Sequence, residues 1–351
     1  MTTSGMVPGI DIRVDGARLP LDARIDIESV TVVDDLSALS MFAVVLYNWD
    51  QDRLKVTWSD SPLFALGAEV QIALGPAGAP EKVITGEVTS LEPAFGPDRP
   101  PMLTVRGYDL RHRLARGRKT RTFSKVKDSA IVRTVARGAG LRAEVSDSGP
   151  VFDYVLQHDQ TDLEFLRARA GLIGHEVYVR DKVLYFRPPQ HTRPAVATLH
   201  VGQDLTEFTP RLRSLSQVDE VTVRGWDAGT KSAVVATADS GQATAMGGGT
   251  PGPRRTRRAF GASGTAQVDV PVESKARADD MARGLFQEMA LSFVQGEAVC
   301  SGRPGLRAGT VVDVQGAGET FSGTYYLTCV THTVAPGEGY LTSMNMRRNS
   351  A

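Results

Sequence analysis

Asp162 and Glu164 are the carboxylates whose closeness most invites a catalytic reading. Glycoside hydrolysis uses a carboxyl pair, one member to protonate the leaving oxygen and one to activate water or attack. Two residues apart on a helix, however, they face different ways. Thr161-Asp162-Leu163-Glu164 also has the spacing of a capping box, in which Thr161 and Glu164 reciprocally satisfy free helix amides. That role accounts for them better. His158-Asp159 invites the same kind of reading, and a polar loop ahead of a capped helix again explains it more simply.

The six histidines (His112, His158, His175, His191, His200 and His332) show no H-x-x-x-H or H-E-x-x-H spacing. Cys300 and Cys329 have no second metal-type ligand close in sequence, so zinc has weak support. Both cysteines fall on expected strands and are read as buried free thiols in a reducing compartment, although they could be neighbours. There is no G-x-S-x-G elbow, phosphate loop or dinucleotide fingerprint. No catalytic, cofactor-binding or metal-ligating residue is therefore assigned, and no cofactor is expected.

Two basic clusters could hold an anionic ligand. Arg111, Arg113, Arg116, Arg118, Lys119 and Arg121 crowd one stretch, and Arg254, Arg255, Arg257 and Arg258 another. Neither is interleaved with aromatics for base stacking. The first reads as a solvated connector or partner-facing strip. Across the chain Lys plus Arg and Asp plus Glu are 40 each, which removes any global pull towards nucleic acid or anionic membrane. The first ten residues lack the charged and apolar regions of an export signal, and no apolar run approaches the roughly 20 residues that span a bilayer.

The elements that carry these residues are mostly strands. At 351 residues, 41% apolar, the chain suggests two or three domains. Gly9–Val14, Leu19–Val33, Ser40–Tyr47 and Leu103–Tyr108 alternate as strands, with Asp15-Gly16 a hairpin turn. Six strands in about 110 residues fit a small closed or nearly closed barrel. Asp128–Ala139 and the stretch after Thr161 read as helices, and a hairpin over Arg180-Asp181-Lys182 completes an α/β unit. After the prolines 188, 189 and 194 strands return. Thr237–Thr265, rich in Gly, reads as a mobile surface loop, and Ser274 caps a long helix whose Met stripe packs on a barrel. The expected organisation is mainly β with an α/β insertion. A first tube-like barrel covers 1–113, an α/β connecting domain 114–198, and a second barrel 199–351, the last holding the long helix and a flexible loop at 237–265.

The barrels look like copies. Leu66–Asp109 and Leu306–Arg347 both run Gly, short apolar strand, Gly, longer strand, third strand, with Gly67 matching Gly309, Gly75 matching Gly316 and Gly86 matching Gly323. Gly86 to Leu103 is 17 residues and Gly323 to Leu341 is 18, so the last two strands keep their spacing. An unduplicated antiparallel protein also produces such echoes; agreement in order and spacing favours duplication.

This order of motifs resembles the hub proteins of contractile tails, the late control protein D family of phages, and the N-terminal part of the valine-glycine repeat spike proteins of type VI secretion. The residues that carry the resemblance are Phe64, Gly67, Val70 and Ile72, Gly86, Gly107 to Asp109, Gln160 to Asp162 with Phe165-Leu166, and the hairpin ending L-Y-F-R-P. Val221 to Asp227, Gly302 to Gly309, Phe321 to Gly323 and Tyr325 continue it, so it spans about residues 9 to 348. The resemblance implies a structural, non-enzymatic baseplate hub: a homotrimer whose two barrels per chain make a pseudo-sixfold ring between a hexameric inner tube and a trimeric spike. With the sequence ending at Ala351, the spike is expected to be a separate chain. Implied partners are that spike, an inner-tube or tube-initiator protein and other baseplate proteins, with no stable nucleic-acid or membrane binding of its own. Assembly would occur in the bacterial cytoplasm, on a phage tail or an extracellular contractile injection particle. Two alternatives stand beside it, a cell-wall glycan hydrolase delivered by such a particle and an anionic-ligand binding module. Val311–Val314 and Met41–Leu46, short and apolar, are the expected ring-forming edges.

Overall fold

The computed structural model describes residues 8–227, 229–241, 245–267, 272 and 274–351. Six strands build the first barrel: β1 (Pro8–Val14), β2 (Ile27–Asp35), β3 (Met41–Tyr47), β4 (Glu69–Pro76), β5 (Glu81–Gly96) and β6 (Arg99–Asp109). Six build the second: β7 (Ala197–His200), β8 (Leu205–Leu212), β9 (Val294–Ser301), β10 (Val311–Gln315), β11 (Gly323–Ala335) and β12 (Gly339–Arg348). The spatial order is β2-β3-β6-β5-β4-β1 in one and β8-β9-β12-β11-β10-β7 in the other. Each strand of the second barrel therefore takes the place of the strand six before it. The copies differ in one direction only: β1 runs antiparallel to β4, whereas β7 runs parallel to β10. The fold is mainly β with an α/β insertion, as the alternation predicts.

Alternation places Ile12, Val30, Val32, Val44, Leu46, Val70, Ile72 and Val105 in one core, and Leu199, Ala298, Val312, Val314, Tyr325, Leu327 and Met344 in the other. Paired strands also show compensating volumes. Phe42 faces Gly107 in barrel one, and at the equivalent pair Gly296 faces Met346. A Cβ on Gly107 would lie 2.3 Å from the Phe42 ring, so each pair holds one large side chain and one glycine.

Between the barrels lies the α/β unit of α1 (Asp128–Gly138) and α2 (Asp162–Leu172), whose core holds Ile131, Val132, Phe165, Leu166, Leu184 and Phe186. The hairpin of Glu176–Arg180 and Val183–Arg187 turns through Asp181 and Lys182, both at positive φ.

Four expectations need correction. Leu21–Ile25 is a short helix rather than strand, because Pro20 cannot donate to a ladder, and within its first turn Asp22 Oδ1 accepts from the Ala23 amide (3.0 Å). The Arg111–Arg121 stretch is a solvated connector only in part: Arg111–Leu114 is a helical turn with Arg111 fully buried, residues 115–120 are exposed, and Lys119 begins a strand. Within 237–265, the described residues include α3 (Gly252–Phe260) and the strand Gly264–Gln267 where loop was expected; residues 242–244 of that stretch lie outside the described residues. Prolines 251 and 253 preset the helix entry, and Gly261 at φ 85° ends it. Finally, α4 (Lys275–Leu291) packs its Ala278, Met281, Ala282 and Phe286 chiefly on the sheet of Glu220–Asp227 and Ser232–Asp239, not on a barrel. That sheet and helix are inserted between β8 and β9, where barrel one has only residues 36–40.

Candidate functional site

The residues that first invited chemistry are engaged in structural contacts. Thr161 Oγ1 accepts from the Glu164 amide (3.1 Å) and Glu164 Oε2 accepts from the Thr161 amide (2.9 Å), completing the capping box. These contacts, led by the Thr161 amide, hold the Glu164 carboxyl below its usual range. Asp162 accepts from Lys119 Nζ and Arg121 Nη2, both at 2.6 Å. Arg118 pairs with Asp159 and Glu164, and Arg113 with Glu87, whose carboxyl burial would raise but the Arg113 and His112 contacts lower. The first basic strip is thus largely neutralised by the chain's own carboxylates. Burial pushes the thiols of Cys300 and Cys329 up to about 11 and about 12, which leaves them poor nucleophiles. Among the described residues no group of three or more His, Cys, Asp or Glu could hold a metal. No helix there is long and apolar enough to cross a membrane.

What the fold does build is a junction between sheets. Strand β2 of barrel one pairs antiparallel with the far half of β11 of barrel two, Val30 opposite Val334, Val32 opposite His332 and Asp35 opposite Cys329. The near half of the same β11 edge pairs with β10. Past the strand, the Leu36 amide donates to Thr328 O (3.1 Å) and Leu36 packs against Ala308, Val311 and Tyr326. Its Cδ2 lies 3.5 Å from where a Cβ on Gly309 would stand, so glycine at positive φ makes the floor of its seat. Asp34 accepts from Arg307 Nε (2.8 Å), Arg180 Nη2 (3.3 Å) and the Ala308 amide (3.2 Å). Burial opposes its ionisation, but the two guanidiniums prevail and hold the carboxyl below its usual range.

Hydrogen bonds define the equivalence of the two barrels residue by residue. The Gly67 amide donates to Val88 O (2.8 Å) and the Val88 amide to Ala68 O (3.0 Å); Gly309, Leu327 and Thr310 repeat the pattern at 2.8 and 2.9 Å. Immediately after, both long strands bulge, at Thr89 and at Thr328. β2 and β8 likewise bulge at Glu28 and Thr206. Gly67 therefore corresponds to Gly309, as the repeat suggests, but Gly86 does not correspond to Gly323. Val70 faces Gly86, and its counterpart Val312 faces Tyr325, so the match is displaced by two residues.

This equivalence exposes what is missing. The edge of β11 that receives β2 has its counterpart in β5 from Ser90 to Phe95, and among the described residues no strand pairs there. The counterpart of β2 is β8, which among the described residues pairs with β9 as its one strand partner and otherwise makes an isolated bridge from Leu205 to Val201. Among the described residues the sheet therefore offers two complementary open edges, besides those of β7 and of the two-residue strand Ala17–Arg18. The strands expected to be edges are both internal: β3 lies between β2 and β6, and β10 between β7 and β11. Short apolar strands bounded by turns look the same in sequence whichever neighbours they acquire.

A family model, the Alg8 N-terminal domain, matches residues 4–336. No curated protein matches the sequence. Among solved structures, the 43 kDa tail protein of prophage MuSo2 from Shewanella oneidensis is similar with a TM-score of 0.73 at 15% identity, over 97% of this chain and 98% of that one. A tail protein from Neisseria meningitidis MC58 gives 0.70 at 14%, over 98% and 97%. The E. coli c3393 protein, a component of the type VI secretion system, gives 0.61 at 14%, over 97% of this chain and 77% of that one. At the level of fold, the resemblance to contractile-tail hub proteins holds.

Proposed function

The chain belongs to the Alg8 N-terminal domain family, and on that premise we propose that it is a structural, non-enzymatic hub in the baseplate of a contractile tail or injection particle. Three copies form a closed ring of six barrels, sixfold towards a hexameric tube and threefold towards a trimeric spike. The observation that carries this reading is the junction itself. One copy already joins two equivalent barrels edge to edge, and the same two edges are open at its ends. A barrel–barrel contact that repeats between chains as it occurs within one either closes a ring or grows a filament, and the resemblance of fold to tail proteins favours closure.

Mass measurement on the purified chain, alone and with its spike protein, tests this. The expected result is a species of three times 37.7 kDa that binds one spike trimer. A monomer at all concentrations, with or without spike, overturns it. Release of sugars from purified peptidoglycan would instead point to a hydrolase. Steeply salt-dependent capture of polyanions would point to α3, whose Arg254, Arg255, Arg257 and Arg258 have no carboxylate partner among the described residues.

A further inference from the structure

We infer the residue-level register in which a second copy docks, resting on the ring reading above: β8 of one copy adds to β5 of the next, and Leu215 seats over Gly67. Copying the β2–β11 junction onto the open edges places Leu91 opposite the next copy's Leu212, Glu92 opposite Arg211, Ala94 opposite Thr209 and Phe95 opposite Phe208.

Three independent features of the open edges fit that register. The first is apolar exposure. Phe95 is 62% exposed, whereas its counterpart in the closed junction, Val334, is 6% exposed. Leu212 is also exposed, and Leu215 is 99% exposed. The second is charge. Glu92 already holds Arg106 (2.8 Å), and Arg211 lies 3.7 Å from Glu297. Docking puts Glu92 directly opposite Arg211 and so links the two diagonal pairs into a chain of alternating sign, Arg106, Glu92, Arg211, Glu297, across four strands. The third is a seat. A groove of about 700 Å³ beside the open part of β5 is lined by Leu39, Leu66, Gly67, Val88, Thr89 and Tyr108, with Glu87, His112, Arg113 and Arg116 completing its wall. Its Gly67 is the counterpart of Gly309, the floor under Leu36. Where barrel one carries Leu36-Ser37, barrel two carries Ser214-Leu215, so Leu215 supplies the leucine one residue later as the chain leaves the strand.

Pro93 and Pro210 fall opposite each other in this register. The Leu36 amide bond to Thr328 makes Val32–His332 a hydrogen-bonded pair, and the prolines occupy its counterpart. Two hydrogen bonds are therefore forgone, confined to one pair. Proline on both edges disfavours indiscriminate strand addition, so specificity falls to the leucine seat and the charge row.

The test uses the full-length chain. Leu215→Asp is expected to raise the ring's dissociation constant about 30-fold or more, as loss of an interface anchor does, while its exposure leaves folding unchanged. Arg211→Glu is expected to dissociate the ring, and Arg211→Glu with Glu92→Arg to restore it. Leu66→Cys with Leu215→Cys is expected to give covalently closed trimers on mild oxidation. If the wild-type chain is trimeric but Leu215→Asp is as stable a trimer, the charge swap restores nothing and the cysteines do not cross-link, this register is wrong while the ring stands. A wild-type chain that never associates overturns both.

Discussion

Replacing Arg111 by methionine is expected to destabilise the chain by about 3–5 kcal/mol, the usual cost of removing one member of a buried ion pair. Arg111 is fully buried, with its Nη2 2.6 Å from Asp109 Oδ2 and its Nε donating to the same oxygen at 2.8 Å. Its remaining donors reach Asp35 O (2.8 Å), Ser40 Oγ (2.8 Å) and Leu36 O (3.3 Å). One side chain thus ties the exit of β6 to the turn between β2 and β3, where Leu36 begins its reach into barrel two. Without it Asp109 is left buried with only amide donors. Asp109→Asn with Arg111→Met removes the stranded charge and should recover a large part of the loss. Urea unfolding of the two variants measures both effects. A cost below about 1 kcal/mol for the single variant would show that the pair is replaceable packing rather than a tie.

The second large effect is a cancellation that substitution should unmask. Burial pushes the Glu176 carboxyl up to about 7, although the Tyr326 hydroxyl donates to it at 2.7 Å and Arg187 is near. Burial, with Arg307 close by, pushes His332 down to about 4. Its Nε2 faces Leu306 O (3.1 Å) and its Nδ1 faces the Tyr340 hydroxyl (2.9 Å), which fits a neutral ring donating from Nε2. Between pH 4.5 and 7 the folded state holds a proton on Glu176 that the unfolded chain has released, so this group's contribution falls as pH rises. Between about 4 and 6.5 the unfolded chain protonates His332 and the folded state does not, so this contribution rises with pH. Each slope is at most about 1.4 kcal/mol per pH unit, and the signs are opposite.

Stability of the wild-type chain should therefore vary little over pH 4.5–6.5 on account of these two groups. Glu176→Gln keeps an acceptor for Tyr326 and is expected to stabilise the chain at pH 7 by at most about 3 kcal/mol, with stability now climbing across that range. His332→Gln is expected to show the reverse slope, whatever its packing cost. Denaturation midpoints at pH 4.5, 5.5, 6.5 and 7.5 decide it. Parallel profiles for wild type and both variants would mean that neither group titrates differently in the folded chain.

Local chemistry made much of this molecule legible from sequence. The Thr161–Glu164 capping box depends on four consecutive residues, and the Gly67 and Gly309 positions on a backbone φ near +85° that L side chains rarely adopt. Strand alternation and the repeated glycines were enough to read two similar barrels. Register was not legible, because one bulge residue shifts every later pairing and nothing in a single strand marks the bulge. Gly67 and Gly309 coincide, but Gly86 and Gly323 miss by two because one sits opposite Val70 and the other opposite Val314, the counterpart of Ile72. Burial of Arg111 was hidden for a related reason: its partner Asp109 is adjacent in sequence, but the carbonyls of Asp35 and Leu36 reach it only through the fold. Which of the short apolar strands stay internal was decided by tertiary structure. An edge is a strand that lacks a neighbour, and β3 and β10 carry nothing that marks theirs until barrel two folds back to place β11 against β2, whereas Pro210 in β8 is a residue that sheets confine to edges.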